Sequence, residues 1–120
     1  ITLLCGNNFD LISGDDALTL PVLAVGGTGI ISVIANIIPR DVADMVTAFH
    51  DGDIVKARSL HYKMLPLIKM MFIETNPIPV KTAMGMLGLC EPTLRLPMSA
   101  MLPENSERLK KALVEYGLLR

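Results

Sequence analysis

A short, mainly β-branched run limits the folds open to this 120-residue chain. Residues 29–33, Gly-Ile-Ile-Ser-Val, are typical of a strand buried on both faces, as in parallel sheets covered by helices. A second candidate strand spans residues 9–13, and residues 15–25, between the two, have a helical period. A crossover of this kind joins parallel strands, and two strands alone do not make a parallel sheet. The sequence therefore predicts an α/β fold in which these are two neighbouring strands of a larger sheet.

Beyond Pro39 the sequence predicts helices and no strand. Apolar residues recur at helical spacing in four segments: residues 41–50, residues 53–73, residues 80–87, and a last segment capped by Asn105 or Ser106 and ending at Gly117. Pro66 should kink the second of these, because proline lacks a backbone N–H. The change in pattern predicts a domain boundary after Gly52. Residues 1–52 contain the strands and residues 53–120 form a helical domain.

Composition and charge argue against several classes of function. The net charge is −1, so the chain carries no basic footprint for nucleic acid. Cys5 and Cys90 lie in no CxxC or His/Cys cluster, which predicts no metal site, no disulfide framework and a reducing, cytoplasmic compartment. The longest apolar runs are too short to cross a membrane. The chain opens on Ile-Thr-Leu-Leu as though inside an element, so we expect it to be part of a larger fold.

Gly14, Asp15 and Asp16 follow the first predicted strand and open a helix. In a parallel barrel the loops at the carboxyl ends of the strands form the active site. Gly14 would let a ligand approach the backbone, and a helix N-terminus favours an anion. The competing interpretation is a simple turn with two capping aspartates, and spacing alone favours it. Residues 26–29, Gly-Gly-Thr-Gly, precede a strand instead of following one, so they indicate a helix stop and not a phosphate loop.

The two histidines and the methionines suggest structural roles. His50 and His61 have no second ligand at a spacing that suits a metal ion, so both are interpreted as surface or boundary residues. The methionines from Met64 to Met86 indicate filling of an aliphatic core and not a flexible binding groove.

Four blocks of sequence are more specific than composition or period. They are Ser13-Gly14-Asp15-Asp16; Gly26-Gly27-Thr28-Gly29-Ile30-Ile31-Ser32-Val33 with Ala35-Asn36; Glu74-Thr75-Asn76-Pro77-Ile78-Pro79-Val80-Lys81; and Leu94-Arg95-Leu96-Pro97. In residues and in spacing, over nearly the whole chain, these blocks resemble the dihydrodipicolinate synthase family. The first two are shared with sibling pyruvate-dependent aldolases, whereas Asn-Pro-Ile-Pro and Leu-Arg-Leu-Pro favour the synthase.

The resemblance implies the C-terminal part of a (β/α)8 TIM barrel, contributing its last two strands, followed by a helical C-terminal domain. It implies a lyase of lysine biosynthesis that condenses pyruvate with L-aspartate-4-semialdehyde through a Schiff base on a barrel lysine, without a cofactor. Gly14 and Ile31 resemble backbone positions of the pyruvate pocket. Asp15 and Asp16 would lie near the semialdehyde entrance, and Asn76 at its mouth.

The resemblance further implies that the Schiff-base lysine lies upstream of Ile1. The chain alone would then be inactive, and its partners would be the remainder of the barrel and further copies in a homodimer or homotetramer. We expect the helix over residues 17–25 at a subunit contact, with Leu20, Leu23 and Val25 exposed.

Two other functions stay open on the sequence alone. The first is a sibling aldolase on the same scaffold, such as an N-acetylneuraminate lyase or a keto-deoxy-sugar aldolase. The second is a non-catalytic helical binding module that kept the motifs without the chemistry. Such a module would need to pack its two strands differently, because their edges would otherwise be open.

Overall fold

A computed structural model describes residues 1–6 and 8–120. In chain order the elements are α1 (Thr2–Cys5), β1 (Ile12–Ser13), α2 (Thr19–Ala24), β2 (Gly29–Ile30), α3 (Pro39–His50), α4 (Ile54–Met70), α5 (Ile78–Met86) and α6 (Pro103–Tyr116), with 3-10 helices at Asp16–Leu18 and Ile34–Asn36. The chain divides into two compact units, unit 1 (Ile1–Met64) and unit 2 (Leu65–Arg120), and the boundary falls within α4. The predicted order of strand, helix, strand and then helices is confirmed. Residues 1–5 followed by Gly6-Asn7-Asn8 predict a helix tail and its stop, and Asn7 lies outside the described residues.

The two strands pair in parallel, as predicted from the helix between them. Ile12 lies opposite Gly29 and Ser13 opposite Ile30. The ladder continues where the N–H of Ile31 donates to the Ser13 carbonyl over 2.9 Å. Both strands are shorter than predicted. Residues 8–10 form a turn before β1. After β2 the N–H groups of Val33 and Ile34 donate to the Asp16 carboxylate and not to a neighbouring strand.

Glycines end the helices at the predicted places. Gly26 follows α2 with φ of 97° and Gly117 ends α6 in the left-handed region with φ of 89°. Because a Cβ is strained at these angles, glycine is the residue that suits a helix C-terminus of this kind. Asp53 caps α4, since its Oδ1 accepts from the N–H of Lys56 over 3.0 Å. The helix continues through Pro66 to Met70.

The start of α6 corrects a prediction. The helix begins at Pro103 with Leu102 as its N-cap, so the assignment of the cap to Asn105 or Ser106 was wrong. Instead, Oε1 of Glu74 accepts from the N–H of Leu102 over 3.0 Å and from Nδ2 of Asn105 over 2.9 Å. A carboxylate from a distant segment takes the place of the local cap, which a search of nearby residues does not find.

The core of unit 1 forms where α3 packs against α2 and against the second 3-10 helix. Its buried apolar side chains include Leu23, Ile34, Ile37, Ile38, Val42, Met45 and Ala48. On α2 the buried residues are Thr19 and Leu23, four residues apart on one face. The expectation that Leu23 is exposed was therefore wrong: it is 3% exposed, whereas Val25, beyond the end of the helix, is 68% exposed.

The core of unit 2 forms where α5 packs against α6. Its buried apolar side chains include Leu67, Ile68, Met71, Ile78, Val80, Ala83, Leu109 and Leu113. Leu109 and Leu113 form the inner face of α6, and neither has exposed area. The assignment of methionines to the core is confirmed for Met64 of unit 1 and Met71 of unit 2.

His61 is a buried histidine, which corrects its assignment to the surface or boundary. It is 9% exposed and lies on the face of α4 that also carries Ala57 and Met64. Its Nδ1 has no hydrogen-bond partner within the described part of the chain. Burial disfavours the charged imidazolium and so lowers the pKa of His61 below its ordinary value of 6.5.

We expect the lowered pKa of His61 to make the folded state less stable in mild acid. The unfolded chain binds a proton near pH 6.5 and the folded chain only at lower pH, so stability falls as pH drops below 6.5 through the folded pKa. Urea-unfolding midpoints of the intact protein at pH 7.5 and 5.5 measure this. His61→Leu should reduce the difference between the two midpoints. An equal pH dependence in His61→Leu and the parent would contradict the expectation.

Gly27 occupies a position with no room for a side chain. A Cβ there would lie 2.6 Å from Cγ1 and 2.7 Å from the carbonyl oxygen of Val22, and the backbone cannot move aside as a flexible side chain could. Gly27→Ala should therefore lower the free energy of unfolding by about 1–3 kcal/mol. The matched control is Gly29→Ala, whose Cβ meets nothing within 4 Å. Thermal or urea melts of both variants give the comparison, and equal losses would refute the steric cause.

Candidate functional site

The carboxyl ends of β1 and β2 lie side by side, because the strands are parallel and in register. The chain leaves β1 through Gly14 and leaves β2 through Ile31, so residues 14–18 and residues 31–36 meet at the same edge of the sheet. We call these two segments the strand-end edge. It collects most of the residues that the sequence singled out.

A local hydrogen-bond network shapes the turn after β1. The Ser13 hydroxyl donates to the carbonyl oxygen of Asp15 over 2.8 Å and accepts from the N–H of Asp15 over 3.2 Å. Oδ1 of Asp15 then accepts from the N–H groups of Ala17 and Leu18, over 2.8 and 3.3 Å. Asp15 is thus the cap of the first 3-10 helix, as one of the two sequence interpretations held.

Asp16 has a different environment from its neighbour. It is 3% exposed, and its carboxylate accepts from the hydroxyl of Ser32 and from the N–H groups of Val33 and Ile34, over 3.0 and 3.2 Å for the latter two. Those donors belong to the segment that follows β2. A single buried carboxylate therefore fastens the end of one strand to the end of the other, and charge-assisted bonds of this type are among the stronger ones in proteins.

Gly14 and Ile31 present backbone at the strand-end edge. Gly14 is exposed, and a Cβ built on it meets nothing within 4 Å. Ile31 is 76% exposed, but its N–H is engaged by Ser13, so the backbone group that it can offer a ligand is its carbonyl oxygen. Asp15 is exposed, and its Oδ2 has no partner in the described part of the chain.

Asn76 belongs to the second compact unit. It is an exposed residue of unit 2, in the turn before α5, whereas Gly14, Asp15, Asp16 and Ile31 all belong to unit 1. The structure brings those four residues together. The assignment of substrate contacts to all five stays a prediction.

Ser32 is the residue at this edge that sequence reasoning missed. Besides donating to Asp16, its Oγ accepts from the N–H of Ala35, within the second 3-10 helix, over 2.9 Å. A usable signal was present, since Ser32 is the one polar residue in the run of residues 29–33. Thr19 was also missed: it is fully buried, and its hydroxyl donates to the carbonyl oxygen of Asp16 over 2.9 Å.

The chemistry available at the edge is binding and orientation. The hydroxyls of Ser13 and Ser32 are both engaged in the network, so neither is poised as a nucleophile. Among residues 1–6 and 8–120, no group of three or more His, Cys, Asp or Glu side chains could hold a metal ion. In the same ranges, no helix is both long enough and apolar enough to span a bilayer. Backbone carbonyls and the Asp15 carboxylate remain as groups that could face a ligand.

Known proteins that are similar to this chain confirm the resemblance drawn from its sequence. The sequence model of the dihydrodipicolinate synthetase family matches residues 1–116. The chain belongs to the dihydrodipicolinate synthetase family. It is 56% identical over 113 residues to the 4-hydroxy-tetrahydrodipicolinate synthase of Endomicrobium trichonymphae. The aligned residues cover 94% of this chain and 39% of that protein.

Solved structures of the dihydrodipicolinate synthetase family match the fold. The crystal structure of dihydrodipicolinate synthase from Aquifex aeolicus has a TM-score of 0.96 at 49% identity, over 98% of this chain and 40% of that one. The chloride-inhibited enzyme from Acinetobacter baumannii, complexed with pyruvate, has a TM-score of 0.93 at 31% identity, with the same coverage. The chain therefore spans about two fifths of the length of these relatives.

Replacing Asp16 should cost far more stability than replacing Asp15. Asp16→Ala leaves two backbone N–H groups and a hydroxyl without their acceptor, at a cost of about 2–4 kcal/mol of unfolding free energy. Asp15→Asn removes the same charge but keeps a good capping side chain, so its cost should stay within about 0.5 kcal/mol. Urea denaturation of both variants in the intact protein makes the comparison. Equal losses would show that Asp16 does not tie the strand ends.

Proposed function

We propose that the intact protein is a dihydrodipicolinate synthase, a lyase of lysine biosynthesis that condenses pyruvate with L-aspartate-4-semialdehyde. In this proposal residues 1–52 supply the last two strands and helices of a (β/α)8 barrel, and residues 53–120 form its helical C-terminal domain. The observation that carries it is the strand-end edge, where the carboxyl ends of two parallel strands are fastened together by Asp16. Active sites of such barrels lie at that end of the strands.

The proposed roles follow from what each residue can offer. Gly14 and Ile31 line the pyruvate pocket with backbone, which suits a small substrate because no side chain intervenes at Gly14. Asp15 lies near the entrance for the semialdehyde, where its Oδ2 is available to a ligand because only Oδ1 accepts hydrogen bonds from the protein. Asn76 lies at the mouth of that entrance. Asp16 acts through its hold on the segment after β2, because its oxygens are already hydrogen-bonded there.

The covalent step requires a lysine that this chain does not supply. All six lysines lie on helices: Lys56, Lys63 and Lys69 on α4, Lys81 on α5, and Lys110 and Lys111 on α6. We propose that the reactive amine comes from an upstream strand of the barrel, so that the 120 residues alone are inactive. The amine condenses with the pyruvate carbonyl, releasing water, and the resulting enamine carbon attacks the semialdehyde carbonyl.

The proposal includes an assembly in the cytoplasm. We propose that the intact protein forms a homodimer or homotetramer with residues 17–25 at a subunit contact. Val25 supports this contact because its side chain is exposed, whereas Leu23 is buried. Val25 is an exposed valine immediately after α2.

Turnover of L-aspartate-4-semialdehyde by the intact protein tests the function directly. With pyruvate present, we expect consumption of the semialdehyde, and the isolated 120-residue chain should give none. No turnover by the intact protein would reject the synthase. Cleavage of N-acetylneuraminate or of a keto-deoxy sugar in its place would identify the sibling aldolase, which shares the first two sequence blocks.

Gly14→Ala tests the contact with pyruvate. The added methyl group meets no neighbouring atom and φ lies outside the left-handed region, so the melting temperature should not change. If the Gly14 backbone lines the pocket, the methyl group intrudes on the substrate, and we expect the KM for pyruvate to rise about tenfold. Gly29→Ala is the control, since it adds the same group at an open position within β2. An unchanged KM in Gly14→Ala would remove Gly14 from the pocket.

A further inference from the structure

The segment between α5 and α6 folds back along one face of α5. A Cβ built on Gly85 would lie 2.9 Å from Cβ of Pro92, closer than a side chain tolerates. One helical turn earlier, Nζ of Lys81 donates to the carbonyl oxygen of Thr93 over 2.5 Å. Positions four apart share a helix face, so a close contact and a hydrogen bond hold the same stretch of chain against α5.

This packing creates a cleft of about 440 Å³ within unit 2. Its lining residues are Pro77, Lys81, Thr93, Leu94, Arg95 and Met98. Two of them are cations and none is acidic, while Pro77, Leu94 and Met98 provide apolar walls. The lining comes from two of the sequence blocks, around Asn-Pro-Ile-Pro-Val-Lys and Leu-Arg-Leu-Pro, which the strand-end edge does not use.

The two cations of the cleft are Lys81 and Arg95. Within the described part of the chain, no carboxylate pairs with Lys81 or Arg95; the observed ion pairs join Lys63 to Asp41 and Lys111 to Glu115. The hydrogen bond to Thr93 uses one of the three donors of the Lys81 ammonium. Arg95 is exposed, and its guanidinium has no protein partner among those residues. Two unpaired cations lining one cleft create a potential that favours an anion.

We propose that this cleft binds a small organic carboxylate. The planar fork of Arg95 matches a carboxylate, and a carboxylate held there also lies in the field of Lys81. The apolar walls suit the carbon chain of such a ligand, which an inorganic anion would leave bare to water. The site is separate in its residues from the strand-end edge, and Asn76 is not among the lining residues.

Isothermal titration of glutarate into the intact protein tests the proposal. We expect saturable binding, weakened about tenfold or more in Arg95→Gln, the loss expected for a charged hydrogen bond. Lys110→Gln, which removes the same charge from an exposed position on α6, should bind like the parent. Absent binding, or equal affinity in Arg95→Gln and the parent, would overturn the proposal.

Two further measurements keep the result specific. Lys81→Met should also weaken the binding of glutarate, but this variant removes the hydrogen bond to the Thr93 carbonyl as well. Arg95→Gln is therefore the deciding variant, because the Arg95 side chain is exposed and has no partner in the described part of the chain. Inorganic phosphate serves as the second probe. If it binds as tightly as glutarate and with the same dependence on Arg95, the apolar walls contribute nothing and the preference for an organic carboxylate is refuted.

Discussion

The buried carboxylate of Asp16 holds the ends of the two parallel strands together. A carboxylate removed from water is costly unless its oxygens are hydrogen-bonded, and here both oxygens accept from the segment after β2. The positions of the backbone at Gly14 and at Ile31 therefore depend on these hydrogen bonds to Asp16. Asp15, adjacent in sequence and equal in charge, is exposed and makes only a local cap. Neighbouring identical residues thus have different roles because one faces the interior.

In unit 2, two hydrogen bonds likewise join a charged side chain to a backbone group that is distant in sequence. Glu74 accepts from the N–H of Leu102, and Lys81 donates to the carbonyl of Thr93, so a charged side chain meets a backbone group of a distant loop in each case. A loop without secondary structure leaves its backbone groups unpaired, and side chains of this kind satisfy them. In the same way that Asp16 fixes the strand-end edge, Lys81 fixes one wall of the cleft that also contains Arg95.

Much of the fold could be predicted because its signals are local. The helical spacing and the stops at Gly26 and Gly117 each depend on residues within a turn or two of one another. The parallel pair follows from the single helix between the two strands. The errors fall where a partner comes from far away in sequence. Glu74 accepts from the N–H of Leu102, the N-cap residue of α6, which is 28 positions later in the chain. His61 is a different case, because its spacing from Ala57 and Met64 already places it on the inner face of α4. Leu23 was misassigned because its exposure depends on how α2 packs against α3.

The sequence by itself determined the order of the elements, the parallel pairing of the strands and, through four blocks of residues, the family. These properties follow from periodicity, from the steric freedom of glycine and from motifs that are contiguous in the chain. Only the tertiary structure decided which aspartate is buried, that Ser32 serves it, and that Lys81 and Arg95 line a common cleft. The physical reason is that burial and hydrogen-bond partners depend on distances in space, and residues 12 to 31 positions apart become neighbours only when the chain is folded.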